Sequence, residues 1–241
     1  MKIFIRDDAD QSVYNEIFKL GEYRAADKAI KNAREPVIDV GAHAGFFSLY
    51  CRALNPQVKI FAIEPEPENF KQLQKHIAGN NIKGVEPVPA ALAGETGERE
   101  LIISKDNHNH RLRLPPPRLP LIKGEDNFPP LDKGRAREGY WVAAFSLGDF
   151  CRRYKIKNVA LLKMDIEGGE EETFKSASAS DLAMVKNVIL EYHGNNFAPI
   201  EQKLRENGFG VQKFPSKFDN KMGFLFARNK RYVSPSMDSG G

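Results

Sequence analysis

Pro36-Val37-Ile38-Asp39-Val40-Gly41-Ala42-His43-Ala44-Gly45-Phe46-Phe47-Ser48 reads as strand, turn and helix, and it constrains the fold more than any other stretch. Pro36 to Val40 is short, apolar and β-branched. Gly41 and Gly45 bracket a tight turn, and Phe46 to Leu54 carries apolar residues at helical spacing. Such a turn gathers backbone N–H groups at a helix N-terminus, which suits a nucleotide-like ligand. The dinucleotide fingerprint G-x-G-x-x-G, begun at Gly41, would need glycine where His43 and Phe46 stand. The close backbone approach to a pyrophosphate is therefore missing, and NAD or FAD is disfavoured.

The chain of 241 residues has room for one α/β domain with a sizeable core and an insertion. Its net charge of +4 is modest, with both signs mixed along the chain, so nucleic acid is not demanded as a partner. Cys51 and Cys151 stand far apart with no CxxC partner, which points away from a disulfide framework or a zinc site and toward a reducing cytoplasm. No apolar run approaches the ~18 residues of a spanning helix, and Met1 to Arg6 lacks the apolar core of a signal peptide. The expectation is a cytoplasmic protein without a membrane span.

Before the turn, Lys2 to Arg6 reads as a short strand, and Val13, Ile17, Phe18 and Leu20 suit one face of a helix. This segment either packs over a sheet edge or forms a lid carrying Tyr14, Glu16, Glu22 or Tyr23. After the turn, Val58 to Ile63 is a second strand, closed by Glu64-Pro65. An acidic residue about 20 residues beyond a glycine turn, at a strand end, is placed to accept from two ribose hydroxyls. Pro67 then suits the first turn of a helix with Phe70, Leu73 and Ile77 on one face. Val85 to Leu92 is a third segment broken by Pro87 and Pro89, and Glu100 to Ser104 reads as an antiparallel strand.

Residues 105–139 are crowded with proline, lysine, arginine and glycine, and Pro120-Leu121-Ile122-Lys123-Gly124 returns as Pro130-Leu131-Asp132-Lys133-Gly134. Neither helix nor inner strand persists in such a composition, so an inserted, mobile, basic loop is expected. Order resumes with a strand at Trp141 to Phe145, a helix capped by Ser146, and a fourth core strand from Val159 to Met164. Asp165-Ile166-Glu167-Gly168-Gly169-Glu170 follows at once. Two carboxylates just beyond a buried strand are costly unless partnered or used, although acidic residues there also favour the N-terminus of the next helix. A fifth strand, Asn187 to Leu190, runs into Glu191 and His193, on the side where α/β sheets bind ligands. Pro199 to Arg205 reads as helix, Val211–Phe214 and Phe224–Ala227 as a terminal hairpin, and 234–241 as a frayed tail.

The pattern Asp39-x-Gly41-x-x-x-Gly45 resembles motif I of the class I S-adenosylmethionine-dependent methyltransferases. More of the chain resembles the FkbM family of these enzymes: Ser12 to Phe18 with Gly21-Glu22-Tyr23, Val37 to Gly45, Glu64-Pro65, Ser146 to Phe150, Leu161 to Gly168, and Leu190 to His193. The Lys163-x-Asp165-x-Glu167-Gly168 run is the most specific part. The resemblance implies a Rossmann-like three-layer α/β sandwich whose seven-stranded sheet is mostly parallel with its last strand antiparallel. The chain then divides into a cap or lid segment at 1–35, a methyltransferase domain at 36–233 with the proline-rich insertion at about 105–139, and a flexible tail at 234–241.

The resemblance also implies O-methylation of a hydroxyl on a sugar, polyketide, glycan or other small molecule. Asp39, Gly41, Ala42, His43 and Gly45 of the turn, with Glu64 and Pro65, would hold S-adenosylmethionine. Asp165 would serve as base or substrate-orienting group, partnered by Glu167, Glu191 and His193. The insertion and Gly148, where an acidic residue is common, depart from the family pattern. No Asn-Pro-Pro-Tyr type motif follows the fourth strand, which lowers nucleic acid as a substrate. The clustered carboxylates have a divalent cation as an alternative role. Competing readings are a non-catalytic adenosyl-ligand sensor or scaffold and, more weakly, an NAD-dependent oxidoreductase.

Overall fold

A computed structural model describes residues 1–102, 111–113, 140–166, 169–193, 197–216 and 222–233. The seven-stranded sheet comprises β1 (Val37–Val40), β2 (Ile60–Ile63), β3 (Val85–Val88), β8 (Leu161–Met164), β9 (Asn187–His193), β10 (Phe209–Pro215) and β11 (Met222–Asn229). A smaller sheet comprises β4 (Ala91–Leu92), β5 (Gly97–Ile102), β6 (Arg111–Arg113) and β7 (Tyr140–Phe145). The large sheet has the order β10-β11-β9-β8-β1-β2-β3. All its neighbours pair in parallel except β11, which is antiparallel to both β9 and β10. This is the mostly parallel sheet with an antiparallel last strand that the family resemblance implies.

The central strands β1, β2 and β8 are buried at every position, as near-continuous apolar runs in a sheet covered on both faces should be. Alternation sorts their side chains. Ile38, Ile63, Leu162 and Leu190 pack in the core with α5 (Leu147–Arg153), α6 (Glu170–Ser176), α7 (Ala179–Ala183) and α8 (Ala198–Glu206). Val37, Ile60, Leu161 and Ile189 face the opposite layer, with α2 (Asp27–Lys31) and α3 (Phe46–Leu54). Leu73 of α4 (Pro67–Gly79) covers Ala62 on that same face. Local chemistry starts these helices where expected: Ser146 Oγ accepts from Asp149 N at 3.2 Å, and Glu66 caps α4 with Pro67 in its first turn.

Two expectations are corrected. Lys2 to Arg6 is not a strand, because its backbone groups are taken by side chains of α4: Phe4 N donates to His76 Nε2 at 2.8 Å, Gln72 donates to Phe4 O, and Lys2 N donates to Asn80. Within the insertion, Arg111–Arg113 forms the edge strand β6 beside β5; the rest of 105–139, like the 234–241 tail, lies outside the described residues. Gly148 has a local reason. A Cβ there would stand 2.4 Å from Asp181 Oδ1, so a side chain at that position would have to displace the carboxylate that completes the α7 capping box.

Candidate active site

β1 ends under a turn whose shape needs its glycines. Gly41 has φ +70° and Gly45 φ +87°, and His43 between them also sits at positive φ, +51°. Gly41 N and Ala42 N both donate to Ile63 O, at 3.1 and 3.0 Å, which ties the turn to the end of β2. A Cβ on Gly45 would meet Leu73 Cδ1 at 2.5 Å, so this glycine lets α4 pack against the start of α3.

Above the turn lies a cavity of about 270 Å³. Gly41, Ala42, His43, Glu64 and Pro65 line it from the turn and the β2 end, and Asp165 and Glu191 from the ends of β8 and β9. It opens at the carboxyl ends of the parallel strands, where sheets of this kind bind ligands. Asp39 and Gly45 sit beneath it and do not line it. Glu167 lies outside the described residues, and His193 is placed only by its backbone in β9.

Glu64 is 5% exposed. Its Oε2 accepts from His43 N at 2.7 Å and its Oε1 from Glu66 N at 2.9 Å. Burial pushes its carboxyl up to about 7, against the pull of those two N–H groups. Each oxygen takes one backbone donor and has a second lone pair to offer, which suits a vicinal diol.

Asp39 lies fully buried on the α3 face of β1, and Ser48 Oγ of α3 donates to its Oδ2 at 2.7 Å. Its register partner in β8 is Lys163. The Lys163 ammonium donates to Gly41 O at 2.8 Å and Val40 O at 3.2 Å, and lies 3.4 Å from Asp39 Oδ1 and 3.6 Å from Asp165 Oδ2. Burial works to discharge this lysine, but Asp165 and Asp39 outweigh it and raise its pKa. Burial likewise raises Asp39, with Lys163 and Ser48 opposing. Lys163 was not singled out among the site residues from sequence, although a charge within Leu161-Leu162-Lys163-Met164 was the visible signal.

The N-terminal segment completes the cavity. It runs through α1 (Asp8–Tyr14), a π-helix at Asn15–Leu20 and a 3-10 helix at Glu22–Ala26. Val13, Glu16, Ile17 and Tyr23 from it line the cavity, and Tyr23 OH donates to Asp165 Oδ2 at 3.3 Å. Ile17 and Tyr23 are also core residues packed with Phe46 and Phe47, so the segment lies on α3 and on β9 and β11 within the sheet and not over a sheet edge. Arg6 pins the segment down, with a two-point contact to the buried Asp10 at 2.9 and 2.7 Å and a bond to Asn69 Oδ1 at 2.8 Å. Leu101 and Leu112 of the small sheet and Met222 of β11 supply more apolar wall. No local signal marked these three, because sheet pairing alone brings them here.

Among the described residues, no group of three or more His, Cys, Asp or Glu could hold a metal ion, and no helix is long and apolar enough to cross a membrane.

Residues 39–211 match the family model described as the methyltransferase FkbM domain. The chain is similar to methyltransferase sdnD of Sordaria araneosa, 28% identical over 220 residues that cover 84% of this chain and 83% of that protein. It is also similar to the 31-O-demethyl-FK506 methyltransferase FkbM of Streptomyces tacrolimicus, 25% identical over 215 residues, 83% of this chain and 82% of that one. Among solved structures, the SMU.1697c protein of Streptococcus mutans in complex with SAH shares the fold, with a TM-score of 0.51, 7% identity, and coverage of 86% of this chain and 97% of that one. Strand order, a glycine turn beneath a carboxylate-lined cavity and the family match lead to one conclusion: the chain belongs to the FkbM family of methyltransferases.

Proposed function

We propose that this protein transfers a methyl group from S-adenosylmethionine to a hydroxyl oxygen of a small-molecule or glycan acceptor. The observation that carries the reading is that Glu64 and Asp165, from the ends of β2 and β8, line the same cavity. When bound, S-adenosylmethionine supplies a methyl on a positively charged sulfur, which keeps the bonding pair as the acceptor oxygen takes the methyl. Glu64 holds the ribose hydroxyls, while the turn at Gly41, Ala42 and His43, with Pro65, shapes the rest of the cofactor cradle. Asp39 and Gly45 hold that turn from below.

Asp165 orients the acceptor hydroxyl and takes its proton, with Glu167, Glu191 and His193 as its partners. Residues 1–35 act as a cap on a methyltransferase unit spanning 36–233. Apolar walls from Ile17, Leu101, Leu112 and Met222 suit an acceptor with an apolar surface beside its hydroxyl. The name of the Streptomyces relative, which specifies an O-demethyl substrate, supports oxygen as the acceptor atom. The free, buried Cys51 and Cys151 fit a reducing cytoplasm.

The test is incubation with methyl-labelled S-adenosylmethionine and a fractionated small-molecule extract, followed by identification of the labelled product. A product labelled on oxygen is expected. Cofactor binding without any transfer would replace this reading with a sensor or scaffold, and absence of binding would remove it.

A further inference from the structure

We propose that Lys163 is a positioning residue, a buried tether that joins the cofactor-side turn after β1 to the carboxylate of Asp165 so that both are set by one ammonium. The proposal rests on the reading of Asp165 as the base. A lysine in the middle of a core strand carries a desolvation cost that an apolar residue would avoid, so its retention asks for a task. Lys163 is 3% exposed, and its three donors have defined places to go. Two meet the carbonyls of Val40 and Gly41, the last residue of β1 and the first of the turn. The same ammonium also lies at ion-pair distance from Asp39 Oδ1, 3.4 Å, and from Asp165 Oδ2, 3.6 Å.

Asp39 alone would neutralise the ammonium, and it does so from the adjacent strand in register. The second carboxylate reaches out from this buried pair to the cavity. Its Oδ2 is the atom approached by both Lys163 and Tyr23 OH, so one oxygen of Asp165 is engaged by the protein interior and by the cap together.

The groups around Asp165 make Lys163 decisive for its charge as well as its place. Glu16 comes from the π-helix, Glu22 and Tyr23 from the 3-10 helix, Asp39 from β1 and Glu191 from β9. Within this set Lys163 alone is cationic. Without it, Asp165 is left among like charges and binds its proton more tightly.

Carbon-detected NMR of labelled aspartate carboxyls, with Asp165 assigned by comparison with D165N, reads this directly without an acceptor. In K163Q the titration midpoint of Asp165 should lie above that measured in the wild type, and SAH should bind about fivefold more weakly or worse as the turn loses its tether. The double variant K163Q/D39N removes both buried charges and should keep the fold while showing a smaller rise, because one of the like charges facing Asp165 goes with the cation. An Asp165 midpoint unchanged from wild type in whichever variant folds overturns the proposal. Should neither fold, the Lys163 ammonium resonance of the wild type must shift as Asp165 titrates and must lose that shift in D165N; a signal blind to Asp165 also overturns it. Failure of SAH to bind the wild type would strike the proposed function while leaving the titration result standing.

Discussion

A Cβ placed on Gly41 would stand 1.8 Å from the carbonyl oxygen of Asp165. The turn after β1 and the chain leaving β8 thus touch backbone to backbone, and the two sides of the cavity share that contact. Gly41 also has φ +70°, a region costly to any residue with a side chain. Gly41→Ala should destabilise the protein by about 3 kcal/mol, a drop in melting temperature of roughly 6–12 °C, and weaken SAH binding. Differential scanning calorimetry and isothermal titration calorimetry check the two parts; a melting temperature equal to wild type would contradict the contact.

Glu64→Ala should weaken S-adenosylmethionine or SAH binding by about 10–100-fold, the worth of hydrogen bonds to a charged group. Alanine is the better test, because glutamine would turn an amide donor toward the N–H of His43 or Glu66. Unchanged affinity by calorimetry would remove Glu64 from the ribose.

The same carboxyl makes a pH prediction. Its folded value is raised from 4.5 to about 7 by burial, so its stabilising effect is complete below 4.5 and is lost as pH rises through about 7. Ionisation in the ligand-free protein costs about 3 kcal/mol, which ribose hydroxyls would offset. SAH affinity should therefore improve about tenfold between pH 6 and 8 in the wild type, and stay flat over that range in Glu64→Ala. His43, Glu66 and Lys163 surround this group, so the single-variant comparison isolates its own titration.

His76 carries the opposite sign. It is fully buried, with Nδ1 2.7 Å from Ala44 O and Nε2 accepting from Phe4 N, so the neutral ring donates on one side and accepts on the other. Burial lowers its pKa below the ordinary 6.5. Stability from this group is present above 6.5 and is lost as pH falls through the lower folded value. Amide exchange at Phe4 should accelerate relative to the core strands once pH drops below 6.5; unchanged relative protection down to pH 5 would refute the link.

Tyr23→Phe deletes one hydroxyl and keeps the ring against Phe47 and Phe224. Stability should change by about 1 kcal/mol or less, with cofactor affinity kept, while methyl transfer to a responsive extract fraction falls about tenfold. Full transfer by this variant would show that the cap contributes wall and no hold on Asp165.

Local chemistry carried much of the fold into view. Val37 to Val40, the positive-φ glycines and the apolar spacing of Phe46 to Leu54 can only be read as strand, turn and helix, because each signal depends on neighbours in the chain. Glu64 at a strand end and Ser146 as a cap are equally local. Lys2 to Arg6 misled for the same reason: five residues with strand character have no strand beside them, and whether their backbone meets a sheet or the side chains of α4 is a tertiary matter.

By itself, then, the sequence determined the elements and the kind of turn, since backbone sterics and side-chain periodicity act over a few residues. The tertiary structure alone decided that Lys163 would lie across from Asp39 and beside Asp165, that Tyr23 would reach over to the same carboxylate, and that Leu101, Leu112 and Met222 would wall one cavity. Those meetings depend on strand order and crossovers that join residues tens to more than a hundred positions apart, as in the separation of 142 between Tyr23 and Asp165. No short-range pattern specifies such a distance; only packing both faces of the sheet at once does.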